Sequence, residues 1–425
     1  MLTILPFDAF DLGEEEVRSR FGWAVRQGHP HWLWPGTTVE AWQAALAQFE
    51  TTARQILTAG AAQDPLVGRP EDIGVAGYTS GMGPLLGHWV KEGRLKTDGG
   101  VAAVLDLHAQ HNSRRMARMA ARARTIVAEL AGHGVSVLVL KGMQTAFRYF
   151  PTPGARTMSD IDLAILPGDV PLAAEVLGGL GLVAGPHSPL PPQQQTWRAP
   201  GAPTVPRSLA LTHADDPWSI DLQTSLNRKY SSGSPTVRLD TLWTDSNTEP
   251  WALSANARAL SLQAQALHCA CHASCGFGNL SMQRLCELAF VVRSGATQGG
   301  FDWDEFMALA RQSAALSAAY PALHLTELLA PGTVPAHALE TARVETPAAV
   351  LRVLRGLSPA NAQRVLRWSL EERFMWARSA WHVVQEVARD LVAPAASPAM
   401  RLSIQKKRLF RVLRGTVTWR SQGSN

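Results

Sequence analysis

The chain has little of what marks secreted or membrane proteins. Its 425 residues include four cysteines. Three of these, Cys269, Cys271 and Cys275, crowd into one segment, which does not read as a secreted disulfide framework. No apolar run approaches the roughly 20 residues that a membrane-spanning helix needs. The opening MLTILPFDAFDLGEEE lacks both a basic start and a long apolar core, so no secretory signal is expected. No internal repeat recurs. Charge is also sparse, with 18% charged residues and a net charge of +5. That mild basic excess is compatible with an anionic substrate but is not by itself a sign of nucleic-acid binding. These absences predict a soluble, cytoplasmic chain. With 46% hydrophobic residues it is long enough for two or three cored domains.

Apolar positions at helical spacing, among them Trp42, Leu46, Phe49 and Ile56, predict helix before residue 60. Residues 61–99 are richer in Gly and Pro and read as a connection. A long helix is expected from about 100 to 131, ended by Gly132 and Gly134. Strand 135–140, a short helix near 143–150, strand 158–166 and a helix capped by Asp169 follow. This alternation of strand and helix argues for an α/β core. The Pro- and Gln-rich stretch 185–206 reads as a loop. SLALTHADDPWSIDLQTSL reads as two strands about a turn at Asp215-Asp216-Pro217. From 250 onward the pattern is helical almost to the end.

The chemistry concentrates in RTMSDIDLAIL, residues 156–166. Alternate strand residues share a face, so Asp160 and Asp162 point one way and Ile161, Leu163 and Ile165 the other. In WSIDLQT, Asp221 is set the same way, with Ser219 and Gln223 beside it and Ile220 and Leu222 opposite. Two close carboxylates repel, and a bound cation keeps both ionised. Mg²⁺ is the natural candidate, with Mn²⁺ as the other, because hard cations take oxygen ligands and share them with phosphates. Three carboxylates can hold two ions, one activating an attacking hydroxyl and one stabilising a leaving pyrophosphate. Asp221 is also placed to take the hydroxyl proton. Lys141 and Gly142 stand where a strand meets a helix N-terminus, a setting that binds phosphate. Arg156 and Ser159 are within reach of a triphosphate. The bland alternatives are a surface acid pair, a surface lysine and a structural ion pair for Arg156.

Leu140-Lys141-Gly142, Arg156 with Ser159-Asp160-Ile161-Asp162-Leu163, and Ile220-Asp221-Leu222 together resemble the uncharacterised nucleotidyltransferase family of the DNA polymerase β-like superfamily. LHCACHASCGFGNLSMQRLCELAFVV and FDWDEFMALA are similar to that family's helical C-terminal part, so the resemblance covers roughly 105–335. It implies an α+β fold, with a small twisted mixed sheet and its helices at 105–245. A helical region and linker at 1–104 would precede this core. An α-helical domain at 246–395 and a basic tail at 396–425 would follow it. The implied reaction is metal-dependent transfer of a nucleoside monophosphate from an NTP to an acceptor hydroxyl on a small molecule, peptide or protein. Asp160, Asp162 and Asp221 would hold metal, and Lys141, Gly142, Arg156 and Ser159 would handle phosphates. Three departures stand out. Met143 follows Gly142 where the superfamily usually has Gly-Ser or Gly-Gly. Eighteen positions separate Gly142 from Asp160. Gln223 stands where close relatives often carry His. The altered turn keeps open a rival reading as an inactive binding or regulatory protein. The basic tail keeps open an RNA-modifying or toxin-like transferase.

Other clusters read as structural. Asp302 and Asp304, with Glu305, form a capping box before an apolar helix. His268, Cys269, Cys271, His272, Cys275 and Cys286 lack paired C-x-x-C spacing, so they read as buried thiols and a packing face rather than zinc ligands. His108 and His111 read as helix-surface or satisfied core residues. Arg114, Arg118 and Arg122 at i, i+4, i+8 read as a solvated face, with an anionic groove as the alternative.

Overall fold

The computed structural model describes residues 36–188, 194–203, 206–208, 210–228, 236–274, 280–295 and 300–362, with a few single positions outside these spans. Cys275 and the basic tail lie outside the described residues. Helix α1 (Val39–Ala59) is capped by Thr38, whose Oγ1 accepts from the Ala41 amide at 3.1 Å, and it stops at Gly60 in the left-handed region. Its expected apolar face, Trp42, Leu46, Phe49 and Ile56, is buried. Residues 61–99 are more than a connection. They hold α2 (Pro70–Ser80) and α3 (Gly83–Lys91). Each has proline in its first turn, where the missing N–H costs nothing, so a local breaker signal marks helix starts. Helix α4 (Gly99–Gly132) begins at Asp98, which caps the Val101 amide at 2.9 Å, and ends before Gly134 at φ 82°.

A seven-stranded mixed sheet follows, in the order β3-β4-β5-β2-β1-β7-β6. Its strands are β1 (Leu138–Val139), β2 (Asp160–Ala164), β3 (Val183–Ser188), β4 (Gln194–Arg198), β5 (Ser219–Gln223), β6 (Thr248–Trp251) and β7 (Ser254–Leu260). Helices α5 (Lys141–Arg148) and α6 (Val170–Gly179) intervene. Two expectations fail here. The Pro- and Gln-rich stretch contributes β3 and β4, an antiparallel pair that extends the sheet past β5. Residues 248–260 form the hairpin β6–β7 rather than helix. In both cases neighbouring strands supply backbone partners that override weak local preference. The expected strand ahead of Asp215 is absent among the described residues, and only Ser219–Gln223 pairs.

The helical remainder comprises α7 (Leu262–Ser274), α8 (Met282–Ser294), α9 (Trp303–Gln312), α10 (Leu316–Leu329), α11 (Ala336–Val344) and α12 (Ala348–Leu354). Two apolar clusters hold the molecule. One lies between the sheet and the second half of α4, with Ile161, Leu163, Ile220 and Leu222 packed near Met119, Ile126 and Val176. The other joins α1–α3 to α7–α12 through Phe49, Trp89, Leu285 and Phe306. The open face of β2 and β5 is left between these masses. No described helix is long and apolar enough to cross a membrane.

Candidate active site

β2 and β5 run parallel in a register that sets Asp162 opposite Asp221 and Leu163 opposite Leu222. The apolar members turn into the core and the acids turn out together. One carboxylate oxygen from each of Asp160, Asp162 and Asp221 lies within 4.8 Å of the others. They sit on a cavity of about 630 Å³, which is also lined by Lys141, Gly142, Arg156 and Ser159. All seven candidate residues from the sequence therefore meet at one cavity.

Their surroundings differ. Asp162 accepts from Lys141 Nζ at 2.7 Å and from Gln223 Nε2 at 2.9 Å. Asp221 accepts from Thr196 Oγ1 at 2.9 Å and from Gln194 Nε2. Among the described residues, the Asp160 carboxylate accepts no hydrogen bond. Burial, and then the charges of Asp162 and Asp221, push its pKa up to about 6 against the pull of Lys141. Burial raises Asp221 as well, with the Thr196 hydrogen bond opposing it. The triad thus carries more negative charge than the protein neutralises, and every free lone pair is a hard oxygen donor. Its chemistry fits a divalent cation.

Lys141 has φ 39°, a left-handed conformation that costs a lysine about 1–2 kcal/mol. Glycine would relieve that strain, but only a side chain can reach Asp162. Gly142 has a packing role too, because a Cβ there would collide with the Arg156 guanidinium. Arg156 itself is gripped by Glu287, with Nε to Oε1 at 2.9 Å and Nη2 to Oε2 at 3.0 Å. Thr145 also donates to Glu287. Ser159 is exposed at the cavity, and its backbone carbonyl accepts from the Ser219 amide at 3.2 Å.

A family model for uncharacterised nucleotidyltransferases matches residues 79–331. The chain belongs to that family. The match spans the sheet, the triad and the helices through α10. It opens at Thr79, in the stretch 78–81 that forms one wall of the cavity. Family membership makes this protein a nucleotidyltransferase-class transferase. Comparison with curated proteins and with solved structures returns no match.

Sequence reasoning missed several residues at or beside this cavity. Arg115 lies one position off the expected arginine stripe. It is buried and donates to the carbonyls of Met158, Asp216 and Pro217. Arg118 pairs with Asp215 at 2.7 Å on the surface, as a solvated face would. Gln194 and Thr196 alternate along β4, a signal that was present inside a stretch read as loop. Glu287 and Arg284, on α8, gave no local signal. The capping box and His108 follow their structural readings. Asp302 caps α9 through the Glu305 amide at 2.9 Å. Cys269, Cys271 and Cys286 are buried and form no disulfide among the described residues, where the Asp triad is the metal-capable grouping. His108 is fully buried against the Gly74 carbonyl, and His111 packs on His213.

Proposed function

We propose that this cavity transfers a nucleoside monophosphate from an NTP to an acceptor hydroxyl, releasing pyrophosphate, on a polymerase β-like core. The observation that carries the reading is the meeting of Asp160, Asp162 and Asp221 on two paired strands, within 4.8 Å, at a cavity large enough for a nucleotide. Asp160 and Asp162 would hold Mg²⁺ or Mn²⁺, and Asp221 would share the acceptor side. A bound divalent cation supplies Lewis acidity that eases ionisation of the hydroxyl and offsets charge on the departing phosphates.

The rest falls to the chain's own groups. The acceptor oxygen attacks the α-phosphorus, and the bond from that phosphorus to the bridging oxygen breaks. Pyrophosphate leaves with the electron pair. Asp221 takes the hydroxyl proton, and its raised pKa makes it a better acceptor than an ordinary aspartate. Lys141, held by its ion pair beside Asp162, adds positive charge where the phosphates enter. Gly142 and Ser159 line the same approach. Arg156 keeps the β2 entry rigid through Glu287 and presents its remaining edge to the cavity.

Incubation with each labelled NTP, Mg²⁺ and pools of small hydroxyl acceptors, peptides and RNA tests the reading. Label should move to an acceptor with the wild type and not with Asp160→Asn/Asp162→Asn. A double variant that turned over like the wild type would sink the assignment. Transfer to RNA alone would favour the RNA-modifying reading. Absence of metal-dependent NTP binding would favour the inactive-scaffold reading.

A further inference from the structure

The cations that line the cavity from within the protein are not equivalent. Arg115 is spent on three backbone carbonyls, Lys141 on Asp162 and Arg156 on Glu287. Arg284, in the first turn of α8, is different. Its Nη1 is shut off from solvent and has no hydrogen-bond partner among the described residues. Glu287 stands three positions further on the same helix and would be its natural mate. Both oxygens of Glu287 are already engaged, however, by Arg156 and Thr145. A shielded N–H without a partner is costly, and such groups in folded proteins mark a bound water, ion or ligand.

The surroundings point to an anion. His272, from α7, lines the same cavity. After burial itself, the charges of Lys141, Arg284 and Arg228 hold its pKa well below the ordinary histidine value, so His272 faces a positive field. One turn back, His268 is fully buried with neither ring nitrogen hydrogen-bonded among the described residues. Buried Arg228 likewise has Nε and Nη2 unpartnered among them. The N-terminus of α8 adds to the field. Ser281, Gln283 and Arg284 all line the cavity, and the first turn of this 13-residue helix carries no acid.

We propose that Arg284, assisted by His272, binds the terminal phosphates of the nucleotide, so that the helical wall holds the leaving pyrophosphate while the sheet holds the metal-binding acids. This rests on the nucleotidyl-transfer reading of the cavity. A guanidinium suits the task because its planar fork binds two phosphate oxygens at once. It also gives a division of labour: the arginine nearest the acids in sequence, Arg156, is structural, and the phosphate ligand comes from a helix more than a hundred residues away.

Calorimetric titration of the full-length chain with inorganic tripolyphosphate, at fixed Mn²⁺, tests the proposal. Mn²⁺ binding alone is measured in parallel. Arg284→Gln should weaken tripolyphosphate binding about tenfold or more, and Arg284→Lys should weaken it less. Mn²⁺ binding should not weaken in either, because Asp160 and Asp162 feel the Arg284 charge and its loss can only favour a cation there. The melting temperature should stay close to that of the wild type, because Nη1 makes no hydrogen bond among the described residues that the change would break. Tripolyphosphate affinity within twofold of wild type in Arg284→Gln overturns the proposal. So does a large loss of melting temperature, which would make Arg284 structural. If the wild type binds Mn²⁺ but no tripolyphosphate, the phosphate site falls and the metal site stands. If it binds no Mn²⁺, the nucleotidyl-transfer reading itself falls.

Discussion

Asp-x-Asp occurs in β2 as Asp160 and Asp162, and at the start of α9 as Asp302 and Asp304. In the strand, both side chains project from one face, and the neighbouring strand delivers a third carboxylate opposite Asp162. Their charges add, and burial leaves Asp160 hard to ionise. At the helix the same spacing disperses the acids. Asp302 bonds the Glu305 amide, and Asp304 is exposed in the first turn, where the helix dipole welcomes negative charge. One arrangement concentrates charge that Lys141 offsets only in part, and the other spreads charge that the helix end neutralises at once. Spacing alone therefore predicts little. The element that carries the acids decides whether they collect a cation or cap a helix. Arg156 and Arg284 repeat the lesson with the opposite sign. Both line the cavity, but Glu287 occupies one guanidinium and leaves Nη1 of the other without a partner among the described residues.

The comparison breaks most directly at the acids. Asp160→Asn/Asp162→Asn should cut transfer by about 10⁴-fold, since ligation of the metal is worth several kcal/mol of barrier. Asp302→Asn/Asp304→Asn should stay within about twofold of the wild type, because exposed cap positions touch no substrate. Initial rates with labelled NTP check both. For the arginines, Arg156→Ala strands a buried Glu287 and should cost about 3–5 kcal/mol of stability by urea denaturation. A loss below about 1 kcal/mol would show that the pair is not the structural clamp described. Third, Mn²⁺ at a hundred times its Kd should stabilise the wild type by about 2.7 kcal/mol. The β2 double variant should lose that response and the α9 variant should keep it, as read by thermal melting with and without a chelator. The smallest effect is expected of Asp302→Ala, which removes one N-cap and should cost about 1 kcal/mol with transfer unchanged.

Much of the site was legible because its signals are local. Alternation along 158–166 placed Asp160 and Asp162 on one face, and the same rule oriented Asp221 with Gln223 beside it. The capping box at Asp302 and the end of α4 near Gly134 were equally plain. What escaped was whatever depends on a distant partner. Gln194 and Thr196 reach Asp221 only because a Pro-rich stretch is drawn into the sheet as β4. Lys141 and Arg156 were expected at phosphates, yet each first meets an acid, Asp162 and Glu287. Arg156 and Glu287 are 131 positions apart, and no periodicity links them.

The sequence alone determined the kinds of element around the acids, the faces on which those acids lie, and through its motifs the family. Those properties follow from steric and hydrogen-bonding preferences that act within a few residues. Only the tertiary structure decided that three acids converge, that Glu287 occupies Arg156, and that Arg284 reaches the cavity with Nη1 unpartnered among the described residues. Charge pairing of this sort is set by strand register and helix packing between segments far apart in the chain. Its energies depend on burial, which no local stretch of sequence specifies.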